Sequence, residues 1–277
     1  MAAPKSRAQL PHLTYPKMNV TRTINAHRSA AAADFVPTEV AGLEFWIDAG
    51  DTSTLFTDTS GTTGVASDGD AIARIEDLSG NGYHVTQGSA VYQPQYKESI
   101  QNGRSVARFS SDHLTSGSNF SITGSSARTI FVVASKDVAT NSIYVSWGTA
   151  GNAQDAYSVT QEYGVRISGG NKLFAVAGST SVFTVATFLQ STSTLAGLTF
   201  FHNGSSESST SSGGTTSTLN TSATSIVVGG WVPSSPTTNP ADADIAEILI
   251  YDSALGTSDR EAVETYLGGK WAISITH

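Results

Sequence analysis

The stretch IAEILIYDSALGTSDREAVETYLGGKWAI, Ile245 to Ile273, limits most tightly what this chain can become. Ile245, Ala246, Ile248, Leu249, Ile250 and Tyr251 are apolar on both faces of an extended chain, and only Glu247 interrupts them. A strand buried on both sides belongs inside a layered β structure, not at its edge. A short helix follows. Ser258 with Glu261 three residues later predicts a capping box. Asp259 suits the positive end of the helix dipole, and Ala262, Val263, Tyr266 and Leu267 mark one apolar face. Gly268 and Gly269 are expected to stop the helix. At about three turns it cannot stand alone. It must dock, with Trp271 and Ile273 plugging the adjacent core.

Nearly everything before this ending reads as short strands between Ser, Thr, Asn and Gly turns. GLEFWIDAG (Gly42 to Gly50) alternates Leu43, Phe45 and Ile47 against Glu44, Trp46 and Asp48. SVARF, RTIFVVAS, SIYVSWG, AYSVTQ, YGVRIS, KLFAVAG and SIVVGGW are further strand candidates. LAGLTFFHNG ends in Asn-Gly, the strongest short hairpin signal. SGNGYH reads as a tight turn with Gly80 and Gly82 at positive φ. The polar stretch SSESSTSSGGTTSTLNTSATS predicts a long loop or a solvent-facing hairpin. Many short strands of this kind indicate a sandwich or barrel.

Composition excludes several classes. There is no Cys, so there is neither a disulfide framework nor a thiolate metal site. No apolar run reaches the ~18 residues of a membrane span. The first twenty residues lack an apolar signal core, so the expectation is synthesis in the cytoplasm without a secretory leader. Net charge is −8, unevenly spread. Residues 1–36 carry Lys5, Arg7, Lys17, Arg22 and Arg28 against Asp34, a balance of +4, which leaves −12 on the remainder. This predicts an extended basic arm over 1–36, holding Pro4, Pro11 and Pro16, and a folded body over 37–277. Five basic residues without an Arg-rich block are sparse for nucleic acid, and none is expected as a partner.

Three segments carry a resemblance: AGLEFWIDAGDTSTL, IEDLSGNGYHVTQ and YQPQYKESIQNGRSVARFSSDHL. With FFHNG and the terminal DIAEILIYDSALGTSDREAVETYLGGKWAI, they resemble in order the LamG-like, concanavalin A-like jelly-roll domain found in phage structural proteins. The resemblance covers roughly residues 41–273. It implies an all-β jelly-roll sandwich with a short C-terminal helix capping one end and an extended N-terminal arm. It says little about function, because that fold serves lectins, hydrolases and scaffolds alike.

Enzyme chemistry is sparsely marked. Glucanases of the concanavalin type place paired carboxylates on one strand face. Here Glu76 and Asp77 are adjacent and point to opposite faces, while Glu247 stands alone on its strand. The six His form no ligand pair. The expectation is therefore a non-enzyme without cofactor. Asp48, Asp51, Asp58, Asp68 and Asp70 could offer loop oxygens to calcium, but the spacing of an established site is missing. A sugar platform needs an exposed aromatic. Trp46 and Trp271 sit in fold-signature motifs and read as core. Trp147 reads equally as core or rim, and Trp231, in GGWVPSSPTTNP, is the best exposed candidate.

Two functional readings remain at this stage. The first is a virion structural protein: a tailed-phage capsid decoration, head-fibre or tail component. Its arm residues Lys5, Arg7, Leu10, Leu13, Tyr15, Lys17, Met18, Arg22 and Arg28 would dock on capsid or tail proteins and on further copies of the chain, a homotrimer being favoured. The alternative is a carbohydrate-binding, lectin-like module using Trp231 and Trp147. A small icosahedral coat protein is a distant third.

Overall fold

The computed structural model describes residues 1, 35–136, 142–149, 156–174, 180–231 and 236–277, and Phe35–His277 forms one compact unit. All nine expected arm contacts, Lys5 to Arg28, lie outside the described residues. In chain order the strands are β1 (Leu43–Asp48), β2 (Leu55–Phe56), β3 (Arg74–Ile75), β4 (Val85–Thr86), β5 (Gln95–Gln101), β6 (Arg104–Asp112), β7 (Leu114–Asn119), β8 (Arg128–Lys136), β9 (Ile143–Gly148), β10 (Ala156–Thr160), β11 (Gly164–Ile167), β12 (Gly170–Phe174), β13 (Thr184–Gln190), β14 (Leu198–His202), β15 (Ser205–Glu207), β16 (Ser209–Gly213), β17 (Ser225–Val228) and β18 (Ala241–Tyr251). The helix α1 (Thr257–Trp271) follows them.

They form two antiparallel sheets, an all-β sandwich with one short C-terminal helix. The first sheet runs β15-β14-β13-β8-β18-β6-β5, with β1 also on β18, and the second runs β16-β12-β11-β10-β9-β17-β7-β4-β3-β2. Strand β18 is the spine of the first sheet. On one side β8 pairs with it from Ala243 to Tyr251. On the other, β6 pairs Ala241–Ile245 and β1 pairs Glu247–Tyr251. With neighbours on both edges and packing on both faces, its apolar run has no solvent side.

The alternation along these strands divides two cores. Phe45, Ile47, Ile130, Val132, Ile248 and Ile250 fill the space between the sheets. Trp46, Phe131, Val133, Ala246, Leu249 and Tyr251 face the other way and meet Val263, Leu267 and Trp271 of α1. A register irregularity between Ile245 and Glu247 interrupts strict alternation. This bulge turns Ala246 and Glu247 successively toward the helix. Without it Glu247 would point with Ile245 into the apolar inter-sheet core.

The helix corrects two expectations. Its N-cap is Gly256, with no side-chain cap. Because the helix begins at Thr257, Ser258 already lies inside the first turn, and Glu261 pairs with Arg260 at 3.0 Å rather than reaching back. Gly268 and Gly269 do not stop it either; the left-handed residue is Ala272, φ 51°. Gly268 serves packing instead, since a Cβ there would lie 2.4 Å from Ile275 Cγ1. The last carbonyls of the helix are taken up by the β5–β6 turn. Gln101 Nε2 donates to Trp271 O at 2.7 Å, and Asn102 Nδ2 and Arg104 Nε donate to Lys270 O at 3.0 and 3.1 Å. The Asn203-Gly204 turn joins β14 to β15 with φ 50° and 86°, as its sequence predicts.

Candidate functional site

The outward face of the second sheet carries a row of residues, four of them polar, that no single strand reveals. Val227, Ser146, Ser158, Arg166, Asn171 and Gly213 are successive cross-strand partners on β17, β9, β10, β11, β12 and β16. Register partners share a face. Their sequence neighbours Trp147, Tyr157, Val165 and Ile167 turn inward to the core, so this row turns outward.

The segment after β17 folds back across the row. Ser146 Oγ donates to Gly230 O at 2.7 Å, and Trp231 N donates to Thr238 O at 3.0 Å. Ile143 N donates to Asn239 O at 3.1 Å. These bonds hold a half-buried Trp231 at a cleft of about 530 Å³, where Arg166, Asn171 and Asn239 supply the polar groups. Gly169, Gly170, Gly213 and Gly214 form one of its walls. Gly214, at φ +62°, would put a Cβ 2.3 Å from Gly169 O, so the two turns meet backbone to backbone. Arg166 Nη2 donates to Glu162 Oε2 at 2.7 Å, which pairs the one charged side chain among the described residues of the cleft. Beside Arg166 in the row, Ser158 Oγ is buried without a hydrogen-bond partner among the described residues.

Such a cleft presents an aromatic ring, two carboxamides, a guanidinium and bare backbone. Those are the groups that receive a sugar, whose ring carries apolar C–H faces and an equator of hydroxyls. Arg166, Asn171 and Asn239 were invisible as a group in the sequence, since strand register brings the first two together and the turn before β18 adds Asn239.

Trp147, the other aromatic expected at a sugar site, is fully buried. Its Nε1 donates to Ile122 O at 2.8 Å, and its ring packs edge-on against Phe120 and beside Tyr157. Arg128 lies over both Trp147 and Tyr157, 5.4 and 4.5 Å from their ring centroids. Burial lowers its pKa to about 10. This corrects the rim reading of Trp147: it leaves no face for a ligand.

A second polar centre lies beneath α1. Glu247 is fully buried and accepts Trp46 Nε1 at 2.8 Å and Trp271 Nε1 at 2.7 Å. Lys270 Nζ lies 2.7 Å from Glu247 Oε2 and also pairs with Asp48. Burial first, then the charge of Asp48, pushes the Glu247 pKa up to about 7. Glu247 therefore does not stand alone, because β1 supplies Asp48 as its register partner. Both its oxygens are occupied by indoles and an ammonium under the helix, an arrangement that ties β1, β18 and α1 together.

The loop carboxylates proposed for calcium are used locally. Asp51 accepts Ser53 N at 3.0 Å, and Asp70 accepts Ala66 N and Ser67 N at 2.7 and 2.9 Å. Asp68 pairs with Lys97. The Ser60 hydroxyl first, then Thr63 and Thr62, donate to Asp58 and hold its pKa well below the usual range. Among the described residues no three His, Asp or Glu side chains are grouped to hold a metal ion, and no helix is long and apolar enough to cross a membrane.

No family model and no curated protein matches the chain. Solved structures do. One is an arabinofuranosidase complexed with arabinofuranosyl-alpha-1,2-xylobiose, at TM-score 0.51 and 15% identity over 73% of this chain and 51% of that one. Another is Trypanosoma rangeli sialidase with 2,3-difluorosialic acid as a covalent intermediate, at 0.51 and 9% over 86% and 34%. A third is domain 4 of a GH43 extracellular arabinanase from Geobacillus stearothermophilus with arabinotriose, at 0.49 and 14% over 79% and 96%. The chain spans about half the length of the arabinofuranosidase and a third of the sialidase. The expectation of a non-enzyme is corrected by these likenesses: the same fold occurs in glycosidases, so it gives no ground for setting enzymatic activity aside. What the likenesses establish is the architecture, an all-β two-sheet sandwich.

Proposed function

We propose that the protein recognises carbohydrate in the cleft at Trp231. One observation carries the reading: the half-buried Trp231 shares the cleft with Arg166, Asn171 and Asn239. The sugar ring stacks on the indole, and the carboxamides and guanidinium bond its hydroxyls. Support also comes from the sandwich it shares with the sugar-bound arabinofuranosidase and sialidase structures.

The test is isothermal titration calorimetry against arabino-, xylo- and sialyl-oligosaccharides. Trp231→Ala should weaken binding at least tenfold, about 1.4 kcal/mol, while the melting temperature stays within a few degrees. Reducing-end release from the same panel shows whether cleavage follows binding. Failure of every oligosaccharide to bind would sink the proposal.

A virion role is a second proposal, supported by the family resemblance and by the +4 charge of residues 1–36 against the acidic remainder. In it the arm joins capsid or tail proteins and other copies of the chain, and the sandwich displays the sugar-binding cleft. Deleting residues 1–36 should then abolish incorporation into particles; full occupancy without them ends that reading.

A further inference from the structure

At the opposite end of β10 and β11 from Gly169, the apolar filling between the sheets gives way to polar and titratable side chains. Lys136 and Thr184 flank the inward-facing Ala134, Lys136 two residues along β8 and Thr184 as its partner on β13. His202 on β14 pairs with the inward-facing Ala186. All three therefore point between the sheets. From the second sheet, the β10–β11 turn brings Gln161 and Tyr163 over them, with Tyr163 in the left-handed region at φ 56°. The Tyr163 ring lies 4.4 Å from Lys136 Nζ and 5.5 Å from the His202 ring, and its hydroxyl is 3.4 Å from Thr184 Oγ1.

The cluster lacks a counter-charge and leaves several buried polar atoms unpaired among the described residues. Lys136 is 6% exposed, and among the described residues its ammonium makes one hydrogen bond, 3.4 Å to Gln161 O. No carboxylate pairs with it among the described residues. Glu162, whose field reaches it, is engaged by Arg166 at 2.7 Å. Gln161 is fully buried, yet among the described residues neither Oε1 nor Nε2 has a partner, and His202 Nε2 is buried without one. Burial pushes the pKa of both Lys136 and His202 down; Glu207 opposes the shift of His202, and Lys136 reinforces it. A cation removed from water is costly unless paired, and each orphaned amide or imidazole nitrogen adds its own desolvation cost. Native structures seldom leave several such groups together without an occupant.

We propose that this cluster is a binding site for a small oxyanion, a carboxylate or phosphate group, seated against Lys136 Nζ. Gln161 Nε2, His202 Nε2 as an N–H and the Tyr163 hydroxyl are its further donors. The anion supplies the missing charge and accepts from Gln161 Nε2 and His202 Nε2, which have no partner among the described residues. The site is separate from the Trp231 cleft and does not depend on its ligand.

The experiment is thermal unfolding of the full chain with added sodium phosphate or sodium acetate, against sodium chloride at equal ionic strength. An anion held only by the folded state raises the melting temperature by a few degrees at roughly a hundred times its dissociation constant. A rise with phosphate alone identifies a phosphoryl ligand, and a rise with acetate a carboxylate. Lys136→Gln should abolish the response and Lys136→Arg should keep it. Should Lys136→Gln fail to fold, ³¹P line broadening of phosphate by the unaltered protein replaces it. No response to either anion, the response of ordered water alone, overturns the proposal. So does an equal response in Lys136→Gln, or, in the fallback, an absence of broadening.

Discussion

Asp48 and Glu247 face one another across β1 and β18, and the Lys270 ammonium pairs with both. Two strands far apart in sequence and the last turn of the helix thus meet at one buried charge cluster. Charges removed from water hold a structure together only while every partner is present.

The pH dependence of stability follows from Glu247. Its folded pKa, about 7, lies above the ordinary 4.5 because burial penalises the carboxylate. A raised pKa stabilises the fold below about pH 4.5, and that contribution is lost as pH rises through about 7. Urea unfolding should show a decline of up to roughly 3 kcal/mol over this window, at about 1.4 kcal/mol per pH unit. Glu247→Gln, which cannot ionise, should flatten the profile. It should also cost about 1–3 kcal/mol throughout, since an amide nitrogen cannot accept an indole N–H.

Removing the cation should be worse than removing the anion. Lys270→Met leaves Asp48 and Glu247 together without compensation, a loss of about 3–5 kcal/mol. The loss should shrink as pH falls below about 7, where Glu247 takes up a proton. Equal losses at pH 5 and pH 8 would show that Lys270 contributes packing rather than charge.

The two tryptophans once grouped as sugar platforms should separate cleanly. Trp147→Ala empties a fully buried site and should cost about 3–5 kcal/mol, seen as a fall in melting temperature. Trp231→Ala should spare the fold and affect sugar titration.

Gly214→Ala tests the cleft wall. A Cβ 2.3 Å from Gly169 O, at φ +62°, forces the two turns apart. A destabilisation of about 1–3 kcal/mol is expected, with weaker sugar binding. An unchanged melting temperature would mean that the turns can separate freely.

Local chemistry made much of the architecture legible. Period-two alternation, the Asn203-Gly204 turn and the doubly apolar run at Ile245–Tyr251 each reflect interactions within a few residues, and each appears where the sequence places it. Trp46 and Trp271 were expected in the core from the family resemblance, and both are buried. The cap of α1 is not legible locally, because Ser258 and Glu261 match a capping pattern while docking of the helix sets its N-cap two residues earlier, at Gly256. Everything polar and functional depended on register. Ser158, Arg166 and Asn171 meet through two strand pairings, Trp231 reaches them by a loop anchored on Ser146, and Asp48 meets Glu247 across 199 residues of chain. Hydrophobic period selects which face of a strand is buried, but not which strand lies beside it. That choice is made by burial of the whole surface at once, and it decides which side chains become neighbours.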